Sequence, residues 1–359
     1  MKDFGLLKRL YSVRRVDILA RMIGIGIIGC GHWGPNYIRN FSIQPNVKVQ
    51  VAADTDPKRR ALVEGLFSGL KTVASHRELL SDPRVQAVVV ATPTSTHHAI
   101  VKEALQAGKD VLCEKPLTVT AAESEELALL ARKTGRILMV GHTFLFNPGI
   151  LKLKSLIDEG TIGSVYYMHA ERTNLGPIRT DVSVVHDLAS HDISIFNFLR
   201  GTLPETVNGK GGRFLRDGID DVAFVTLQYP GNVIASLIVS WLHPRKVREV
   251  TVVGDRKMII WNDLGTLGPI MIFDKSVKRE PAYLDFGEFN LLAREGDVTI
   301  PRVALTEPLK LQTEHFISCL LARSQPRTSV QQGIDVARVL DAINLSIAQG
   351  GIPCPVKTE

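Results

Sequence analysis

Ile23-Gly24-Ile25-Gly26-Ile27-Ile28-Gly29-Cys30-Gly31-His32-Trp33-Gly34 decides how the rest of the chain is read. A short β-branched, apolar run flows straight into three glycines spaced G-x-G-x-x-G. That spacing alone is weak. Its value comes from context: a strand before it, a helix after it, and an acid, Asp54, closing the next apolar run, Val47–Ala53. Gly29 permits a tight turn, Gly31 allows close approach of a ligand to the backbone, and Gly34 lets the helix pack on the strand. The helix N-terminus then offers unpaired N–H groups to an anion.

The pattern predicts a dinucleotide site. Gly29, Gly31, His32, Trp33 and Gly34 would form the pyrophosphate loop, and Asp54 would accept the adenosine ribose hydroxyls. A carboxylate there repels a 2′-phosphate, so NAD is the expected cofactor. Arg59 and Arg60 lie close enough in sequence to leave NADP open.

Outward from this motif, residues 22–143 alternate apolar strands with helical stretches. The strands are read at Ile23–Ile28, Val47–Ala53, Gln86–Ala91, Asp110–Cys113 and Arg136–Val140. Thr120 and Glu123 have the capping-box spacing, opening a helix that runs to Gly135. Such alternation specifies βαβ units in a parallel, doubly wound Rossmann sheet. Beyond Phe146-Asn147-Pro148 the texture changes. Helices are read at Ile150–Glu159 and Val185–Leu199, and strands at Ser164–Arg172, Glu205–Phe214, Asp221–Tyr229, Asn232–Leu242, Arg248–Val253 and Lys257–Trp261. Short turns such as Pro230-Gly231 favour antiparallel pairing. Residues 144–328 are therefore expected to form an α+β domain on a large, mostly antiparallel open sheet. A C-terminal helix within 329–351 is expected to pack back on the Rossmann domain. The stretch Gly265–Leu305 carries no clear pattern.

Composition agrees. The chain has 359 residues, enough for two domains at about 150 each. With 45% hydrophobic and 22% charged residues, it is neither a disordered chain nor a miniprotein. Its longest uncharged apolar run, Met22–Gly31, falls short of the roughly 18–20 residues of a membrane span, so no membrane partner is expected. Four dispersed cysteines without a CxxC pair fit neither zinc nor a disulfide framework, and point to a reducing cytoplasm. Acids (37) and bases (43) are interspersed, with no basic block carrying aromatics, so no nucleic-acid partner is expected. Residues 1–21 read as a basic N-terminal extension. Arg14-Arg15 suggests an export signal, but cleavage after the apolar stretch that follows would remove the first strand, and Met22 reads as an alternative start.

A second set of motifs is more specific. Thr92-Pro93-Thr94-Ser95-Thr96-His97 is followed by a helix and then by Glu114-Lys115-Pro116. Gly141-His142-Thr143-Phe144-Leu145-Phe146-Asn147-Pro148 and Asp187-Leu188-Ala189-Ser190-His191-Asp192 follow later. Together they resemble the glucose-fructose oxidoreductase / inositol dehydrogenase (Gfo/Idh/MocA) family over Met22–Gly351. The resemblance implies an NAD(P)-dependent dehydrogenase acting on a sugar hydroxyl. It places Thr92, Pro93, His97, Glu114 and Lys115 at the cofactor. It makes Lys115 and the Asp187/His191 pair catalytic, and it implies a homodimer or homotetramer paired through the open sheet face.

The residues carry a logic of their own. Ligands bind at strand C-termini in open α/β sheets, and Lys115 follows such a strand. Asp187 and His191 are four apart and share a helix face. An imidazole titrates near working pH, as acid–base chemistry requires, so Lys115 and His191 are both candidates for the proton. His142 and His186 read as packing residues. A metal site from His186, His191 and Asp192 fits neither spacing nor family, so no metal is expected. Arg172, Asn174 and Arg179 lie on the segment Arg172-Thr173-Asn174-Leu175-Gly176-Pro177-Ile178-Arg179, where two arginines could clamp an anion. That run is similar to UDP-N-acetylglucosamine 3-dehydrogenases and implies a sugar or nucleotide-sugar substrate bound by Arg172, Asn174, Arg179, Asp187 and His191. The alternatives within the family are an NAD-dependent glycoside hydrolase and a non-enzymatic ligand-sensing regulator.

Overall fold

The computed structural model describes residues 22–281 and 289–358. The extension 1–21 and residues 282–288, within the stretch without a clear pattern, lie outside the described residues. The chain forms two compact units.

The first unit begins β1 (Ile23–Ile28), α1 (Gly34–Ser42), β2 (Val47–Ala53), α2 (Pro57–Leu66), β3 (Lys71–Val73), α3 (His76–Leu80), β4 (Ala87–Val90), α4 (His97–Gln106), β5 (Asp110–Glu114), α5 (Ala121–Thr134) and β6 (Leu138–Gly141). Its six strands run in the order β3-β2-β1-β4-β5-β6, all parallel. This is the Rossmann arrangement expected from the sequence. Every residue of β1, β4 and β5 is buried, which explains their unbroken apolar runs. The edge strand β3 escaped the sequence reading because only Val73 of its three residues is buried. Between β1 and β4 the strand order reverses, the position at which ligands bind beyond the strand C-termini.

The second unit contains α6 (Pro148–Asp158), β7 (Val165–Leu175), α7 (Ser190–Arg200) and the strands β8 (Thr206–Gly212), β9 (Val222–Tyr229), β10 (Val233–Ser240), β11 (Leu242–Gly254), β12 (Met258–Asn262), β13 (Ile270–Phe273), β14 (Ser276–Pro281), β15 (Phe289–Arg294) and β16 (Val298–Thr299). The chain continues through α8 (Pro308–Ala322), α9 (Val330–Ala348) and β17 (Cys354–Pro355). A nine-stranded sheet has the order β16-β13-β12-β11-β7-β10-β9-β8-β17. Its pairs are antiparallel except β7 with β10. Alternation sorts its faces: Ala223, Val225, Leu227 and Tyr229 of β9 point into the core, whereas Phe224 is exposed. Tyr167 and Ile234, opposite each other on β7 and β10, are exposed as well.

Two expectations are corrected. Helix α8 belongs with the Rossmann unit, and the chain from Gln332 onward, which includes most of α9, belongs with the second unit. The reason is which core each apolar face fills. Phe316 of α8 meets Phe41 of α1 edge-on. Val336, Val339, Leu340 and Ile343 of α9 join the core under the nine-stranded sheet, and Ser346 accepts from Gly209 N. Val185–Leu199 is also not one helix. A π-type turn, Val185–Ala189, precedes α7.

Candidate active site

In the first unit the glycine turn follows β1 directly. Gly29 has φ +100°, and a Cβ there would fall 2.5 Å from Ala91 O. At Gly34 a Cβ would lie 2.2 Å from Gly29 O, so the helix start sits against the turn. At Gly31 only the Arg59 guanidinium comes within 4 Å of that position. The protein itself therefore leaves Gly31 open, as close approach of a ligand requires. His32 and Trp33 complete the loop and are exposed.

Asp54 closes β2 with both oxygens fixed. Cys30 N donates to Oδ2 at 2.7 Å and Asp56 N to Oδ1 at 2.9 Å. The acid is thereby tied to the glycine turn itself. Arg60 donates to Asp54 O at 2.7 Å, and the half-exposed Arg59 stands 3.9 Å from the Asp54 carboxylate. These residues fit an adenosine dinucleotide: donors at the α1 N-terminus for the pyrophosphate and an acid for ribose hydroxyls.

After β4, Thr92 and Pro93 enter a single 3-10 turn, held by Thr96, which donates to Pro93 O at 2.7 Å. His97 behaves differently from the expectation of direct cofactor contact. It is 1% exposed, with Nδ1 3.0 Å from Pro116 O and Nε2 2.9 Å from Thr92 O. It straps the loop after β4 to the loop after β5. Glu114 also works from inside: Tyr37 donates to its Oε1 at 2.6 Å and the Lys115 amide to its Oε2 at 3.2 Å. Lys115 follows at the strand end.

In the second unit, Asp187 lies in the π-type turn and His191 in the first turn of α7. Single π-type turns within helices are frequent at functional sites. Asp187 is held at both oxygens: Trp241 Nε1 donates to Oδ2 at 3.1 Å and Arg179 Nη1 to Oδ1 at 3.4 Å. Arg179 also pairs with Asp181 at 2.6 Å. His191 meets Phe144 edge-on, with ring centroids 4.9 Å apart. On Phe144 stacks the Arg172 guanidinium, 4.4 Å from the ring centre.

Arg172 requires a correction. It is 3% exposed and forms a bidentate pair with the buried Asp192, at 2.9 and 2.8 Å. Its Nε and Nη2 are committed to Asp192 and the side chain is buried, so the pair forms the support behind Phe144 and His191 and not an exposed clamp. Asn174 turns its amide to Gly176 O and shapes the loop. Packing residues His142 and His186 are buried, and burial pushes the His186 imidazole below its ordinary value. The sequence reading gave no role to Tyr37 or Trp241, quoted Phe144 only within a motif, and weighed Asp192 only as a metal ligand. Tyr37 was visible in principle: a phenol on the buried face of a helix needs a polar partner inside.

The parallel sheet and its glycine turn define a dinucleotide-binding Rossmann protein. Residues 23–142 match the sequence model of an oxidoreductase family, described as an NAD-binding Rossmann fold, and residues 150–260 match the GFO/IDH/MocA C-terminal domain. The chain belongs to the Gfo/Idh/MocA oxidoreductase family. It is 30% identical to inositol 2-dehydrogenase 2 of Paenarthrobacter aurescens over 226 residues, 60% of this chain and 68% of that protein. A putative oxidoreductase from Magnetospirillum magnetotacticum superimposes with a TM-score of 0.76 at 29% identity, covering 90% of this chain and 99% of that one. The UDP-N-acetylglucosamine 3-dehydrogenase GnnA of Acidithiobacillus ferrooxidans shares the fold, with a TM-score of 0.76 at 23% identity over 91% of this chain and 98% of that one. Matches to curated relatives span 58 to 68% of those proteins' length.

Proposed function

We propose that the protein is an NAD-dependent dehydrogenase that moves a hydride between nicotinamide and a sugar carbon. The observation that carries this reading is the placement of Lys115. It stands at the C-terminal end of β5, in the same sheet whose β1 ends in the glycine turn anchored to Asp54. NAD, when bound, supplies the hydride acceptor. Gly29–Gly34 and Asp54 hold its adenosine and pyrophosphate portions, and Lys115, at the end of β5, serves the reacting hydroxyl. From the second unit, His191 is the other candidate for the proton, and Asp187, fixed by Trp241 and Arg179, accepts a substrate hydroxyl.

A nucleotide sugar is the favoured substrate, on the likeness of the Asn174–Arg179 segment and of the fold to UDP-N-acetylglucosamine 3-dehydrogenases. Arg172 is buried against Asp192, whereas Arg179, partly exposed and paired with Asp181 and Asp187, is the arginine of that segment nearer solvent and would exchange one of those carboxylates for an anionic substrate. The exposed Arg245 and Lys246 stand in the bulged part of β11 that pairs with this segment. Pairing of two copies through the exposed Tyr167/Ile234 face of the sheet completes the proposal. A panel of polyols, free sugars, sugar acids and nucleotide sugars, followed at the NADH absorbance band, tests it. NADH formed in step with product supports the reading. Product without NADH contradicts it and favours glycoside cleavage. Ligand binding without any product favours a regulator.

A further inference from the structure

Tyr37, on α1, has no place in the cofactor or substrate sets above, yet it sits in a buried polar network. Its ring is fully buried and its hydroxyl donates to Glu114 Oε1 at 2.6 Å. Gln312 of α8, also fully buried, donates Nε2–H to the Tyr37 oxygen at 3.1 Å. The other Glu114 oxygen accepts the Lys115 amide at 3.2 Å. Tyr37 and the Lys115 amide thus meet on one carboxylate, with Gln312 behind the Tyr37 hydroxyl, and that carboxylate grips the backbone of Lys115.

A buried carboxylate is tolerated only when hydrogen bonds compensate for its lost hydration. An O–H···O contact of this length to a carboxylate is of the strong, charge-assisted kind. Burial and the adjoining Glu114 push the Tyr37 phenol well above its ordinary value, so the hydroxyl keeps its proton and remains a donor. Tyr37 also lies in the first turn of α1, which starts at Gly34 of the glycine turn.

We infer that Tyr37 is a positioning residue: with Gln312 behind it, it orients Glu114 so that Glu114 sets the backbone, and hence the side-chain placement, of Lys115. The inference rests on the proposed role of Lys115 for its kinetic consequence, not for its structural one.

The test reads the two separately. Glu-Lys occurs once in the chain, at Glu114-Lys115. Protein isotope-labelled at glutamate carbonyl carbon and lysine nitrogen therefore gives a single carbonyl-filtered amide peak, that of Lys115. In Tyr37→Phe, which keeps the ring, that peak should move upfield. Its hydrogen exchange should quicken about tenfold as the support of Glu114 weakens. NADH affinity should stay near the parent value. An unmoved peak in folded Tyr37→Phe overturns the inference. Should that variant not fold, Gln312→Leu should move the same peak in the same direction, and an unmoved peak overturns the inference equally. With any substrate from the panel, Tyr37→Phe should lower kcat about tenfold at little-changed KM. It should cost nothing further in a Lys115→Ala background. An additional loss there shows that Tyr37 does not act through Lys115. Parent-like turnover of Lys115→Ala alone contradicts the proposed function and leaves the amide result standing.

Discussion

Trp241 donates its indole N–H to Asp187 Oδ2 at 3.1 Å from a ring with no exposed surface. A strand-end tryptophan thus fixes the acid that precedes His191. Trp241→Phe keeps an aromatic in place but deletes the donor. Turnover should fall about tenfold, in line with the loss of a hydrogen bond to a charged group. NAD affinity should be unaffected, since Trp241 belongs to the other unit. Steady-state kinetics with parallel NADH titration checks both. Unchanged kcat in the folded variant would show that Asp187 is held well enough by Arg179.

Arg172 and Asp192 form a buried bidentate pair, so cutting one partner leaves an uncompensated charge. Arg172→Ala should lower stability by about 3–5 kcal/mol. The double variant Arg172→Met with Asp192→Leu should recover much of that loss. Urea melts of the three proteins decide it. Normal stability with a raised KM for an anionic substrate would return Arg172 to the substrate clamp.

Cofactor choice follows from Asp54, whose carboxylate is fixed by Cys30 N and Asp56 N. Asp54→Ala should weaken NADH binding about tenfold, the scale of one or two ribose hydrogen bonds, and narrow the preference over NADPH. Fluorescence titration of both nucleotides measures it. If the parent binds NADPH as tightly as NADH, Arg59 outweighs the acid.

The acid limb of stability has an identifiable contributor. Hydrogen bonds from Arg77 and His76 hold the Glu103 carboxyl at about 2, below its ordinary 4.5. A depressed carboxylate stabilises the fold above its unfolded value and loses that contribution as pH falls through the folded one. Glu103→Gln should therefore lower stability at neutral pH by less than about 1 kcal/mol, because the group is partly solvated. The difference from the parent should vanish between pH 4.5 and about 2. Melts at neutral pH and near pH 2 give the comparison, and a difference that persists in acid contradicts the assignment.

Legibility in the sequence followed burial. Strands covered on both faces, such as β1, β4 and β5, print as apolar runs and were readable to within a residue or two. The glycine turn and Asp54 were readable because their chemistry demands fixed spacing. The edge strand β3 buries one residue and leaves no periodic trace. The allegiance of α8 and α9 was hidden because an apolar helix face does not say which sheet it will cover. Arg172 was misread for a related reason: its partner Asp192 lies twenty residues on, beside His191, and only folding brings the two together. The Tyr37–Glu114–Gln312 network spans separations of 77 and 275 residues, which no local pattern encodes.

The central claim is that Lys115 handles the proton of an NAD-linked oxidation at a site built around β5. The most direct measurement is turnover of Lys115→Ala beside its NADH dissociation constant, on a substrate the parent oxidises. A positioned acid–base group contributes about 10²–10⁴-fold in rate, so turnover should fall at least a hundredfold while NADH affinity stays near the parent value. Near-normal turnover with the lysine gone would contradict the account.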